Sequence, residues 1–304
     1  MTDRSDEGRH QAGAGPHWEE SFAFDFAASD GSVGGYVRLG FRPAERVAWY
    51  WAAFVSTSSG RAGRGHPHPA LVLVRDHDVP LPRGRTLEVR TSGLWADHTC
   101  ETPLEHWTVG VEAFGVALDD PREAFRGERG DLCPLGFDLE WEATEPARPG
   151  YDQGYDQGYD QGYGQACTVH GEVLVGTERL ELDGVGWRCH RWGNRDWWAP
   201  GSGSGGDHPP AASGRTWAGG HFDAGAAFAT TDVEVVTDDG LVVSAAIPGL
   251  ALRAEPIAHA PVGLPRADGT AGRLDRALCR YASTDGRRAV GWIEHLTSPP
   301  APAP

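Results

Sequence analysis

The sequence predicts an all-β fold of two antiparallel halves, each the size of a small barrel or sandwich. Three observations carry that expectation. Apolar residues recur at every second position through short segments, the period of a half-buried strand. Turns rich in Gly, Pro and Asp separate these segments, and 42 Gly and 22 Pro in 304 residues supply them. Only residues 121–125 look helical, and they make barely one turn.

After a disordered polar tail over residues 1–17, Phe22, Phe24 and Phe26 alternate with Ala23, Asp25 and Ala27 as the first strand. Residues 33–41 form a second; in a third, Val47, Trp49, Trp51, Ala53 and Val55 share one face and Tyr50 takes the other. A turn from Ser56 containing His66-Pro67-His68 leads to residues 71–74, and a Pro-punctuated turn leads to the strand around Leu87 and Val89. Trp107, Val109 and Val111 alternate before residues 114–118, and Phe137, Leu139 and Trp141 close the first half. Tyr151-Asp152-Gln153-Gly154 then occurs three times and grades into Tyr163-Gly164-Gln165. So short a period buries no core, and it reads as a low-complexity linker over 149–164. This sets an N-terminal domain at 18–148, a C-terminal domain at 165–297 and a disordered Pro/Ala tail at 298–304. The second half repeats the pattern at 167–175, 178–182, 216–228, 233–236, 241–247, 250–255, 278–281 and 288–296, with a Gly/Ser/Pro loop at 199–214. Asp238-Asp239-Gly240 and Thr284-Asp285-Gly286 supply hairpin turns.

A net charge of -16 favours solubility and argues against nucleic acid and anionic membrane surfaces as partners. The N-terminal residues lack the apolar stretch of a signal peptide, and no run reaches the roughly 18 apolar residues of a spanning helix. A cytoplasmic protein is expected, with its oligomeric state left open. Cys100, Cys133, Cys167, Cys189 and Cys279 are widely spaced and never form C-x-x-C, so buried free thiols are expected in place of disulfides or a zinc ribbon.

The densest chemistry lies in Gly184-Val185-Gly186-Trp187-Arg188-Cys189-His190-Arg191-Trp192-Gly193-Asn194-Arg195-Asp196-Trp197. Arg and Trp in close alternation let guanidinium groups stack on indole faces, each contact contributing about 0.5–2 kcal/mol depending on desolvation. The stretch resembles the G-x-R-x-H-x-W-G-x-R-D-W signature of the carotenoid 1,2-hydratase (hydroxyneurosporene synthase) and AttH-like superfamily. Tyr163-Gly164-Gln165, His170-Gly171 and Gly291-Trp292-Ile293-Glu294 stand where that family has its supporting features. The resemblance implies tandem lipocalin-like β-barrels. It also implies chemistry without a cofactor, in which an acid protonates a carbon–carbon double bond, a tertiary cation forms against aromatic faces, and water adds. Such a site requires a carboxylic acid whose pKa burial has raised. His190 and Trp192 match the family's His-x-Trp pair and alternate on one strand face, pointing into the cavity. The family's Tyr-x-Asp pair has His221-Phe222-Asp223 as its counterpart, with His in place of Tyr. Asp223 is thereby the candidate general acid, with His190 and His221 as further catalytic candidates and Trp187, Trp192 and Trp217 as substrate-binding ones. Arg188, Arg195 and Asp196 form a structural clamp at the barrel mouth.

The function expected is a lipocalin-like protein with a cavity for an apolar, isoprenoid or polyketide-like molecule of secondary metabolism. It acts either as a hydratase or cyclase-type enzyme with no cofactor, or as a non-catalytic binder. Trp49, Trp51, Trp107, Trp141 and Trp217 either line that cavity or fill it. A carbohydrate-binding sandwich, with tryptophans as surface stacking platforms, is the third alternative. No metal is expected, because Asp76-His77-Asp78 and His66-Pro67-His68 lack further ligands at a defined spacing. No G-x-S-x-G or H-E-x-x-H motif is present.

Overall fold

The structure is a computed structural model describing residues 2–57, 68–149, 161–198, 215–265 and 271–297. The repeat at 151–160, His66, the loop at 199–214 and the tail at 298–304 lie outside the described residues.

The described residues form two antiparallel sheets. The first contains β1 (Trp18–Ala28), β2 (Val33–Arg42), β3 (Val47–Ser56), β4 (Leu71–Pro80), β5 (Val89–Thr91), β6 (Leu94–Thr102), β7 (His106–Ala117), β8 (Asp131–Ala143), β9 (Arg148–Pro149), β10 (Gln161–Val175) and β11 (Glu178–Asn194). Its order is β4-β3-β2-β1-β11-β10-β8-β7-β6-β5, with β9 on β10, and a short β4–β7 pairing curls it into a barrel. The second contains β12 (Arg215–Phe222), β13 (Ala227–Thr230), β14 (Glu234–Asp238), β15 (Leu241–Ile247), β16 (Leu252–His259), β17 (Val262–Pro265), β18 (Ala271–Ser283) and β19 (Arg288–Thr297). Its order is β13-β12-β19-β18-β16-β15-β14, with β17 on β18. Residues 121–125 form a 3-10 turn capped by Asp120. The β14–β15 hairpin turns through Asp239 and Gly240, both at positive φ (47° and 88°), the backbone a two-residue hairpin demands.

This topology moves the division read from the sequence. β10 and β11, placed in the C-terminal half, pair with β8 and β1 and belong to the first sheet. The sheets therefore divide between Asn194 and Arg215, not at 149–164. The reason is β1, whose free edge is covered only when Trp18–Ala28 meets Gly184–Asn194.

Antiparallel sheets usually keep one face for water. Here β1, β2 and β3 are buried on both faces, and alternation sorts their side chains between two layers. Phe22, Phe24, Phe26, Tyr50, Ala52 and Phe54 join Trp107, Phe137 and Trp141 inside the barrel. From the opposite face, Ala27, Tyr36, Trp49, Trp51 and Ala53 meet Trp217, Leu278 and Trp292 of the second sheet. Directional bonds fix this interlayer contact: Trp292 Nε1 donates to Phe26 O (2.9 Å) and Tyr36 Oη to Ala260 O (2.9 Å). Each aromatic ring taken fully from water contributes about 1.5–3 kcal/mol. Trp107 and Trp141 thus fill the barrel, while Trp49, Trp51 and Trp217 belong to the layer between the sheets. All five are buried, so none is a surface platform for a carbohydrate.

The first residues also depart from expectation. Arg4–Glu7 form a 3-10 turn with a capping box from Asp3 and Asp6, and Glu7 is buried. The polar composition that suggests a disordered tail hides partners far along the chain: Glu7 Oε2 accepts from Trp107 Nε1 (2.8 Å) and Oε1 from Arg188 Nη2 (2.7 Å). Among the described residues no helix is long and apolar enough to cross a membrane. Among the described residues the five cysteines form no disulfide; Cys133, Cys167 and Cys279 are buried.

Candidate functional site

The signature stretch lies on β11, and strand alternation splits it into two faces. In the β1 register Phe22 meets His190 and Phe24 meets Arg188, so Arg188, His190 and Trp192 belong to the barrel side. Ala23 meets Cys189, and Trp187, Cys189 and Arg191 belong to the side facing the second sheet. Gly186 lets β11 lie close against β1, since a Cβ there would overlap the Asp25 carbonyl oxygen.

On the barrel side the N-terminal segment covers the mouth. Arg188, 3% exposed, is held by both Glu7 oxygens, by Gln165 Oε1 and by Tyr163 Oη (3.4 Å). His190 is stacked on Phe22 (ring centroids 3.8 Å apart). Its Nδ1 donates to Asp6 O (2.7 Å) and its Nε2 faces Glu20 Oε1 (3.0 Å). Trp192 stacks on His10 (3.8 Å) and donates to Gln161 Oε1 (2.8 Å). His190 and Trp192 share a face as expected, but that face meets a packed barrel end.

Between the sheets lies a different centre. Asp25 is 4% exposed; its Oδ1 accepts from Trp187 N (2.9 Å) and its Oδ2 lies 3.6 Å from Arg276 Nη2. Arg276 Nε is 3.4 Å from Glu294 Oε2, and its guanidinium sits 4.1 Å above the Tyr36 ring. Ala23, Asp25, Cys189, Arg191, Trp217, Arg276 and Glu294 enclose a pocket of about 30 Å³. Burial pushes the Asp25 carboxyl up to about 6, against the pull of Arg276 and the Trp187 N–H.

A larger cleft, about 790 Å³, opens where the barrel meets the second sheet, lined by Trp49, Trp197, Trp198, Arg42, Arg195 and His77 among others. Its wall is a ladder of cations on indoles. Arg42 lies over Trp49 (4.0 Å), Arg195 over Trp197 (3.6 Å), and Arg38 over Trp51 (4.6 Å) and Trp197 (5.2 Å). Buried Glu19 gathers Arg38, Arg42 (2.6 Å) and Trp197 Nε1 (2.9 Å). Arg38 pairs across the strands with Ala23, which lines the pocket, so this layer adjoins it. Trp51 Nε1 donates to His77 Nε2 (2.8 Å), and burial with Arg75, Arg38 and Arg42 nearby pushes His77 down to about 3.

The remaining predicted residues separate. Asp223, expected as the buried acid, is exposed on the turn after β12, and its amide donates to Arg288 O (3.1 Å). Its strand ends before the position reaches the interlayer. His221 is buried, but its Nε2 donates to Gly186 O (2.9 Å), tying β12 to β11, and burial pushes it down to about 4. Neither stands with His190. Trp217 lines the Asp25 pocket, and Trp187 packs beside it between the sheets. Arg195 N donates to His17 O (2.8 Å), Asp196 Oδ1 accepts from Trp198 N (2.8 Å), and Asp196 O accepts from Arg215 Nη2 (2.8 Å). Asp25, Arg276, Glu7, Glu20 and His10 were not singled out from the sequence. The available signal for Asp25 was a lone charge inside Phe22–Phe26.

A family profile described as a domain of unknown function (DUF7064) matches residues 3–247. No curated protein matches the sequence. Among solved structures, kievitone hydratase from Nectria haematococca is similar at a TM-score of 0.51 and 11% identity, over 92% of this chain and 89% of its own. A candidate AttH protein from Nitrosomonas europaea gives 0.49 and 13%, over 92% of each chain. CghA with Sch210972 gives 0.48 and 11%, over 93% and 89%. At 11% identity the likeness to kievitone hydratase concerns the fold alone. The profile spans most of the chain, which belongs to the DUF7064 family.

Proposed function

We propose that this chain is a hydratase-type acid catalyst needing no cofactor, whose proton donor is Asp25 and whose substrate is a small molecule with an apolar body and a carbon–carbon double bond. The observation that carries this reading is the buried Asp25 carboxyl facing a pocket of about 30 Å³, room for the one water that adds, so the alkene has to reach Asp25 from the neighbouring cleft. A carboxyl raised to about 6 keeps a protonated fraction near neutral pH. In the reaction the Asp25 O–H bond breaks as its proton joins one alkene carbon. Water oxygen bonds to the resulting cation, and a water proton returns to the Asp25 carboxylate, so one H₂O is added and the acid is restored. Trp217 at the pocket supplies an aromatic face for the cationic carbon. That a protein of this fold is named a hydratase supports the reading.

The Glu19–Arg38–Trp197 layer favours a second reading, a non-catalytic binder. A ligand in the cleft meets apolar faces from Trp49, Trp197 and Trp198 and charge from Arg42, Arg75 and Arg195. Such a lining suits an amphipathic molecule better than a wholly apolar one. Incubation with isoprenoid and polyketide-like alkenes in ¹⁸O-labelled water separates the readings. A catalyst yields a product heavier by one labelled water, and Asp25→Asn abolishes it. A binder quenches tryptophan fluorescence and returns the alkene unchanged; turnover surviving in Asp25→Asn removes Asp25 as the acid.

A further inference from the structure

We infer that His10, Glu20 and His190 form a binding site for one divalent transition-metal ion of the zinc class, at the barrel mouth and independent of the Asp25 centre. Their ligand atoms lie within 4.8 Å of one another, and two histidines with one carboxylate are a set that zinc accepts, with a fourth position open to water.

The hydrogen bonds show why this cluster calls for a cation. The Asp6 carbonyl can only accept, so the proton of His190 sits on Nδ1 and is donated there (2.7 Å). In the neutral imidazole that leaves the Nε2 lone pair directed at Glu20 Oε1, itself an acceptor, at 3.0 Å. Glu20 Oε1 already receives His10 N (2.8 Å) and faces His10 Nδ1 (2.9 Å). The other oxygen, Oε2, is buried and has no hydrogen-bond partner among the described residues. A buried carboxylate oxygen left so costs free energy, which an added positive centre removes. A ring nitrogen donating to a backbone carbonyl, with the opposite nitrogen free to ligate, is also the usual outer-shell arrangement of metal-binding histidine. Two ligands of a tetrahedral ion with bonds of about 2.0–2.1 Å stand roughly 3.3 Å apart. The two short contacts, 3.0 and 2.9 Å, therefore need to open only slightly, while the two histidine nitrogens, within 4.8 Å of each other, close around the ion. Glu20 and His190 side chains are 1% and 2% exposed, whereas His10 is 23% exposed and gives the ion a way in. Because His10 belongs to the N-terminal segment and the other two to β1 and β11, the ion would pin that segment to the barrel.

The test uses the full chain stripped with EDTA and titrated with Zn²⁺ against a chromophoric chelator, with thermal unfolding as a second readout. One Zn²⁺ per chain at micromolar or tighter affinity is expected, with a rise in Tm. Losing an outer-shell partner costs about 10–100-fold in affinity, so His10→Ala, which removes a ligand, should lose at least about 100-fold and no longer gain Tm from zinc. His10 lies on the half-buried segment, so this variant keeps the barrel intact, whereas Glu20→Gln and His190→Ala change side chains buried in it. Co²⁺ should give visible bands of low-symmetry coordination in wild type and not in His10→Ala. Absence of zinc uptake at tens of micromolar free ion, or wild-type affinity in His10→Ala, overturns the inference and leaves a shared proton holding His190 to Glu20.

Discussion

Replacing Asp25 with Asn changes how stability depends on pH, and the size of the change follows from the site. The Asp25 carboxyl rises from 3.8 to about 6 on folding, because burial outweighs Arg276 and the Trp187 N–H. A raised carboxyl binds its proton more tightly in the folded chain. Its contribution is therefore fully present below pH 3.8 and is lost as pH rises through about 6. Two units at about 1.4 kcal/mol each make roughly 3 kcal/mol in all, of which about 2 kcal/mol falls between about pH 4.5 and 7. His77, His98 and His221 oppose this slope. Burial lowers them from 6.5 to about 3, 4 and 4, so their contribution is present above pH 6.5 and lost as pH falls toward those values. Only the difference between wild type and Asp25→Asn isolates the carboxyl, since the histidines are common to both. Asn keeps an oxygen for the Trp187 N–H. Urea unfolding across the range should show wild type losing about 2 kcal/mol relative to the variant from about pH 4.5 to 7. Parallel curves would refute the buried, proton-holding state assigned to Asp25.

Three further outcomes are expected. Glu7→Ala strands Arg188 without its carboxylate and should cost about 3–5 kcal/mol in urea unfolding, whereas a disordered tail would give no effect. Gly186→Val forces a side chain into the Asp25 carbonyl and parts β11 from β1, at about 1–3 kcal/mol or more by thermal unfolding. Trp292→Phe leaves the Phe26 carbonyl without its indole donor between the layers and should cost about 1–3 kcal/mol; a neutral result in denaturation would show that the layers are not held there.

Much of the fold was legible because alternation is local. Phe22, Phe24 and Phe26, and Trp49 against Tyr50, announce strands and faces from a few neighbouring residues. What a face will meet is not local. Asp25 alternates with phenylalanines and so looks solvent-facing, yet Arg276 and Glu294 arrive on β18 and β19 from the far end of the chain. His221-Phe222-Asp223 matched a spacing, but a turn places Asp223 in water. Glu7 and His10 sit in a polar segment whose order comes from Arg188, Trp107 and Glu20. Trp187 and Trp192 are expected together as substrate-binding residues, whereas the pleat deals them to opposite sides of β11.

The pairing of β1 with β11 also sets a schedule for synthesis. Trp18 leaves the ribosome long before Asn194, its partner across the strands. At about 5–20 residues per second the interval is roughly ten to thirty-five seconds. Through that time β1 offers an apolar, unpaired edge with no resident neighbour, and the N-terminal turn has no Arg188 to bind. The newborn chain should therefore depend on chaperones until β11 emerges, and a stalled product ending before residue 184 should aggregate where one ending after Asn194 can close its first barrel.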